Sequence, residues 1–217
     1  ITGIVPCYDA DFGSAFKMYA GSASGNYIEL CSQDPSYVCA SGRKWWIETQ
    51  FKIDDFDSSE FFFGIAEPQC GSEDLIYVSG TTFVKGDGKD RVGFTKLVHN
   101  TSAINACSTH NANGSEDITL ATDIVYDADN KVLTLGIYWD GNSNVYFYGN
   151  VRTTGSSIAS TALLYTHTIG STKVVPTDSN NYLRLFINNG GSTDLNSIVN
   201  YIRGKIEVTG SSGVYIY

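Results

Sequence analysis

The sequence predicts an all-β chain, built as a β-sandwich or a closed barrel. Three observations lead there. Roughly ten to fourteen short segments alternate apolar and polar residues at period two, separated by evenly spaced turn signals. The polar complement is mostly Ser, Thr, Asn and Gly, which favour turns and sheet surfaces over helices. Aromatic residues make up 13% of the 217 positions and charged residues only 17%, the opposite of a disordered composition. That length supplies one substantial core, and no linker or fixed-period repeat divides it. Residues 1–217 therefore read as one domain, with 1–11 as an N-terminal arm and 210–217 as a terminal edge strand or arm.

Trp45 to Ile53 is the clearest element. Trp45, Ile47, Thr49, Phe51 and Ile53 share one face while Trp46, Glu48, Gln50 and Lys52 share the other, as in a strand with one side on a core. The acidic turn Asp54 to Ser59 ends it. Glu60 to Ala66 follows and is apolar on both faces, which suits the middle of a sheet. Leu75 to Val84 reads as a strand pair broken at Ser79-Gly80, Lys85 to Asp90 as a turn, and Arg91 to His99 as the next strand. From Asn100 to Asp117 polar residues dominate, and a surface excursion is expected. Ile118 to Asp127 and Lys131 to Asp140 are strands around Ala128-Asp129-Asn130; Leu133, Leu135, Ile137 and Trp139 form an inward row. Asp140-Gly141 then turns the chain into Val145 to Asn150, a hairpin. Ser160 to Thr168 and Asn181 to Asn188 are further strands. Leu195, Ile198 and Val199 fall at helical spacing behind Asp194, so a short helix is expected to Asn200. Tyr201 to Thr209 and Val214 to Tyr217 close the chain as strands.

A net charge of -9, with no cluster of Lys and Arg, argues against a nucleic-acid partner. No run approaches the roughly 18 apolar residues of a membrane span, so no membrane partner is expected. The start, Ile1 to Cys7, lacks the basic stretch and apolar block of a secretory signal; it does not begin with Met, and a removed leader stays open. Cys7, Cys31, Cys39, Cys70 and Cys107 allow five reduced thiols, or two bridges and a free thiol, with Cys31 and Cys39 the pair most easily closed. Asn100 and Asn113 open glycosylation tripeptides that chance explains equally well in this composition.

Glycoside hydrolysis needs two carboxylates flanking the scissile bond. Glu48 and Glu67 each stand alone on their strands, and the adjacent Glu73 and Asp74 would face opposite ways. No catalytic residue is therefore assigned. Asp54, Asp55 and Asp57 share a turn, as do Asp127 and Asp129, and Asp87 lies near Asp90; Asp favours turns by bonding its own backbone, and none of these spacings matches a calcium loop. Cys107 and His110 lack a second pair of zinc ligands, and His99 and His167 lie apart. No metal and no cofactor is expected. The outward aromatics are the remaining candidates. Trp46 points away from the core if Trp45 points in, and Tyr138 does so if Trp139 points in, with Tyr146 and Tyr148 beside Tyr138 across the hairpin. This row is either a binding strip, a protein contact, or a second buried face under a loop. Tyr215 and Tyr217 belong to the terminal segment and join it as candidate interface residues.

The order of these segments carries a resemblance. Trp45-Trp46-Ile47-Glu48, Phe61 to Ala66, Asp90 to Phe94, the hairpin from Leu133 to Trp139 and Val145 to Gly149, Tyr182 to Asn188, and Val199 to Ile202 together resemble concanavalin-A-like (laminin-G-like) jelly-roll domains. They resemble particularly the divergent members in structural proteins of tailed bacteriophages, over about residues 12 to 210. The resemblance implies a jelly-roll β-sandwich of two antiparallel sheets. It further implies a non-enzymatic virion structural protein, a decoration or cement protein on the phage head. Its partners would then be the major capsid protein or other virion subunits. A homo-oligomer, with a trimer favoured, would be assembled in the host cytoplasm and placed on the virion head surface. The alternative is a carbohydrate-binding module of a phage tail or an extracellular protein, with a glycan as ligand. The first reading predicts flat Tyr-rich contact areas, the second outward aromatics around a shallow groove.

Overall fold

The computed structural model describes residues 3–67, 77–79, 82–84, 90–96, 103–109, 124–125, 131–152, 162–170, 175–177, 181–191, 194–208 and 215–216. The strands are β1 (Gly3–Asp9), β2 (Gly13–Gly21), β3 (Tyr27–Cys31), β4 (Arg43–Ile53), β5 (Ser59–Ala66), β6 (Tyr77–Ser79), β7 (Thr82–Val84) and β8 (Arg91–Lys96). They continue as β9 (Ala103–Thr109), β10 (Ile124–Val125), β11 (Val132–Trp139), β12 (Asn144–Arg152), β13 (Ala162–Thr168), β14 (Tyr182–Asn189), β15 (Leu195–Val208) and β16 (Tyr215–Ile216). The architecture is an all-β jelly-roll sandwich of two antiparallel sheets. An eight-stranded sheet runs β1-β2-β15-β4-β11-β12-β13 with β16 on β15, and a six-stranded sheet runs β10-β9-β8-β5-β14-β3; β6 and β7 pair separately.

The core lies between the two sheets. Trp45, Ile47, Phe51 and Ile53 of β4 and Leu133, Leu135, Ile137 and Trp139 of β11 project into it from one side. Phe61, Phe63 and Ile65 of β5, Phe94 of β8, and Leu183, Leu185 and Ile187 of β14 meet them from the other. The inward parity of β4 and β11 is pinned at the two tryptophans, which are register partners and each 1% exposed. A buried indole N–H needs an acceptor; Trp45 Nε1 donates to the Val38 carbonyl at 3.1 Å, and Trp139 Nε1 to that of Ala40 at 3.2 Å. Slipping either strand by one residue would expose its tryptophan ring and orphan that ring's donor. On the far face of the six-stranded sheet Phe62, Ala66, Cys107 and Phe186 form a second buried cluster, so β5 is apolar on both sides because both sides are covered.

Several segments differ from the sequence reading. Residues 194–200 are not a helix: Leu195, Ser197 and Val199 point inward as the start of β15, and Ile198 faces the other way. Polar Ser197 on the inner face hid the period of two. Within the polar stretch after Asn100, Ala103–Thr109 is strand β9, with Ile104 and Ala106 in the main core. β2 and β3 were not anticipated. In β2 Met18 and the small Ala20 enter the core while Phe16, on the same face, is exposed, and Ala15 is buried on the opposite face, so apolar size runs against burial. Residues 3–9, read as an arm, pair along β2 from Gly3↔Tyr19 to Asp9↔Gly13 at the sheet edge. Cys31 and Cys39 are free thiols, one exposed and one buried. Cys70 lies outside the described residues, as do Asn100 and Asn113.

Candidate functional site

Fixing Trp45 and Trp139 inward turns Trp46 and Tyr138 outward, and the two are register partners on β4 and β11. The β11–β12 hairpin adds Tyr146 opposite Tyr138 and Tyr148 opposite Gly136. Its register is held by Asp140, whose Oδ1 accepts the backbone N–H groups of Asn142, Ser143 and Asn144 at 2.8, 2.9 and 3.0 Å. Burial works to raise the Asp140 pKa, but these donors and the Asn144 amide favour the carboxylate and lower it overall. Gly141 supplies the left-handed φ of +75° that this turn requires.

Two cross-strand rows result on the outer face of the eight-stranded sheet. One runs Lys205, Trp46, Tyr138, Tyr146; the next runs Arg203, Glu48, Gly136, Tyr148. Tyr138 and Tyr146 stack with centroids 5.9 Å apart and planes at 23°. Burial and the neighbouring Tyr146 and Tyr138 raise the Tyr148 pKa. The side chains of Trp46, Glu48, Tyr138 and Tyr148 surround bare Gly136 and enclose a depression of about 310 Å³. Trp46, Tyr138, Tyr146 and Tyr148 are half-buried, so this face is neither flat nor covered.

Glu48, set aside in the sequence reading as a lone acid, stands in the depression wall. Its Oε1 accepts from the Tyr201 hydroxyl and from Arg203 Nη2 at 2.9 Å. The Arg203 guanidinium also lies 5.2 Å from the Trp46 ring centroid and 4.6 Å from that of Tyr201. Burial, then the Glu48 carboxylate beside it, pushes the Tyr201 phenol well above its usual range. Tyr201 and Arg203 reach this face through a bulge. The β15–β4 register shifts between Val199 and Tyr201, so inward parity passes from Val199 to Gly204 and Ile206, leaving Tyr201, Arg203, Lys205 and Glu207 outward. Beyond Glu48, Gln50 Nε2 donates to Thr134 Oγ1 at 2.9 Å, and Asn200 Nδ2 to Gln50 Oε1 at 2.7 Å.

The structure brings together four of the six sequence candidates. The backbone of Tyr215 pairs with Ile206 on β15, and Tyr217 lies outside the described residues. The missed residues are Glu48, Gly136, Tyr201 and Arg203. Only Glu48 carried a signal, its place on the same face as Trp46. The acidic turn after β4 is structural: Asp54 accepts from the Asn196 backbone and amide at 2.9 and 2.6 Å, and Asp55 from Ser58 N–H at 3.1 Å. Asp87, Asp127, Asp129, His99 and His110 lie outside the described residues. Among the described residues, no three His, Cys, Asp or Glu side chains converge as metal ligands.

No family model matches the chain, and no curated protein matches it. Solved structures do. A glycoside hydrolase family protein from Mycobacterium thermorestibile is 13% identical, with a TM-score of 0.51 over 88% of this chain and 76% of that one. The Crh5 transglycosylase in complex with NAG is 15% identical, with a TM-score of 0.53 over 94% and 77%. The carbohydrate recognition domain of Emp46p, in metal-free form, is 11% identical, with a TM-score of 0.54 over 94% and 86%. At these identities the likeness shows the fold.

These comparisons correct the reading drawn from the phage resemblance. The neighbours above are a glycoside hydrolase family protein, a transglycosylase and a carbohydrate recognition domain rather than particle decorations, so the virion structural role is withdrawn. With it go the capsid-protein partner, the shell trimer and the location on a virion head. The aromatic-glycine strands behind that resemblance recur wherever a jelly-roll sheet must present one apolar face, and so do not discriminate. The expectation of a non-enzymatic chain is corrected too, because two of these neighbours are a hydrolase and a transglycosylase. It rested on finding no acidic pair within one strand, whereas sheet pairing also gathers groups from different strands.

Proposed function

We propose that this chain binds carbohydrate on the outer face of the eight-stranded sheet, in the depression over Gly136. The observation that carries the reading is the depression itself, with three aromatic side chains and one carboxylate around a bare glycine. Sugar rings offer apolar C–H faces that pack on aromatic rings, and hydroxyls that a carboxylate orients. Gly136 supports the reading independently. A Cβ there would meet the Ile47 carbonyl at 3.7 Å, Tyr148 Cβ at 3.8 Å and Trp46 Nε1 at 3.9 Å, all ordinary contacts. Its φ lies outside the left-handed region. Gly204 is different, since a Cβ there would collide with the Tyr37 hydroxyl. Glycine in a strand interior costs roughly 0.5–1 kcal/mol relative to alanine, and at Gly136 that cost maintains open space.

Trp45 and Trp139 are each 1% exposed, so Trp46 is the tryptophan that a quencher reaches. Laminarin, cellohexaose and a broad glycan panel should be titrated while acrylamide quenching is followed. Saturable shielding by at least one glycan, lost in Trp46→Ala and Tyr138→Ala, is the expected result; a panel in which nothing shields Trp46 would refute the proposal. Cleavage of the bound glycan is a second reading, favoured by the phenol of Tyr201 donating to Glu48 beside Arg203. A carboxylate in that position can give or take a proton at a bound glycan. Release of new reducing ends, lost in Glu48→Gln while shielding of Trp46 persists, would establish it.

A further inference from the structure

The outer face carries charge beside the aromatic strip. Lys205 is the register partner of Trp46, and Lys44 lies two residues before Trp46 on the same face of β4. Lys44, Trp46, Tyr138, Lys205 and Glu207, with Trp45, line a hollow that adjoins the depression and shares Trp46 and Tyr138 with it. The cation nearest Glu48 is already committed, since Arg203 pairs with that carboxylate and lies over two rings. Lys44 and Lys205 are different: neither has an ion-pair partner among the described residues, although Glu207 is the register partner of Lys44. Counting Lys44, Lys205 and Glu207, the hollow keeps one uncompensated positive charge on a chain whose net charge is -9. A positive spot on an acidic surface selects for an anion that approaches it alongside the rings.

We propose that the glycan taken here is anionic, with a carboxylate or sulfate seated between Lys44 and Lys205 while its ring packs on Trp46. This rests on the carbohydrate reading above and deepens it. Ammonium groups suit such a ligand as compact point charges on flexible stems, able to follow a substituent whose position varies along a chain. Exposed charge contacts are weak singly, and two together are expected to change affinity about tenfold at low ionic strength, the gain fading as salt screens it.

The test compares cellohexaose and laminarihexaose, both neutral, with oligogalacturonate, carrying only carboxylates, and carrageenan oligosaccharides, carrying only sulfates. Shielding of Trp46 is followed at low and at physiological ionic strength. Tighter binding of an anionic probe by about tenfold, reduced by salt, is expected, and which of the two binds better assigns carboxylate or sulfate. The Lys44→Gln, Lys205→Gln double variant should lose that preference, and Lys44→Arg, Lys205→Arg should restore it, with melting curves showing that all variants fold. Equal or tighter binding of the neutral probes would overturn the inference and leave the carbohydrate site standing. An anionic preference unchanged in the Gln variant would overturn the assignment to these lysines. No shielding by the anionic probes would overturn the inference, and no shielding by these probes or any of the broad panel would overturn both readings.

Discussion

Gly136→Val separates the packing of this sheet from the use of its outer face. The new Cβ would stand in ordinary contact with Ile47, Tyr148 and Trp46, so the backbone need not move. Its two methyls would project from the floor of the depression between Glu48 and Tyr148. Valine is a strong strand former, and host scales span about 1 kcal/mol. The variant should therefore match or exceed wild type in stability, by up to about 1 kcal/mol, which for a chain of this size is a rise of about 2–4 °C in melting temperature. Binding should move the other way. Lifting a sugar off the rings loses the stacking preference, about 0.5–1.5 kcal/mol beyond buried area, together with part of that area. A loss of at least about tenfold in affinity, roughly 1.4 kcal/mol, is expected. Melting curves read the first quantity and glycan shielding of Trp46 the second. Undiminished binding in a folded Gly136→Val protein would show that the depression is not the site. A fall in melting temperature of several degrees would show that this glycine serves packing after all.

Lys52 is 2.7 Å from Asp9 and 2.9 Å from Asp11, with all three side chains at most 12% exposed; Lys52→Met removes the cation the two carboxylates share and should cost roughly 3 kcal/mol in urea unfolding. Asp140 has a lowered folded pKa, so its contribution is present above the ordinary Asp value of about 3.9 and is lost as pH falls through the folded value. The melting-temperature gap between wild type and Asp140→Asn should accordingly close in acid. Burial raises the Cys31 thiol, pushes that of Cys107 up to about 12 and that of Cys39 well above its usual range, but of the three only Cys31 is exposed, so iodoacetamide should label Cys31 in the folded protein and reach Cys39 and Cys107 only after denaturation. Mass spectrometry of digests would check it.

Much of the sheet carrying the site was legible because its strands have one wet face and one dry one. In β4 every second residue from Trp45 to Ile53 is buried, and period two states which side chains face out. The β11–β12 hairpin was legible for the same reason, reinforced by the Asp-Gly turn. Trp46, Tyr138, Tyr146 and Tyr148 are therefore grouped by the sequence pattern alone. β15 was not legible in this way. Its bulge reverses parity halfway along, so the pattern that places Val199 inward would have placed Arg203 inward as well. β9 was hidden because buried polar residues such as Asn105, Ser108 and Thr109 look like a loop when only hydrophobicity is read.

By itself, then, the amino-acid sequence determined the all-β class, the inward rows of the central strands and the outward aromatic strip, since side-chain alternation is a local property of an extended backbone. Tertiary structure decided which strands became neighbours. Pairing β4 with β15 on one side and β11 on the other set Glu48 between Arg203 and Gly136, residues far apart in the chain. Hydrogen-bond register across strands operates over separations that no local pattern records, and that register turned an isolated acid and an unremarked glycine into the wall and floor of a site.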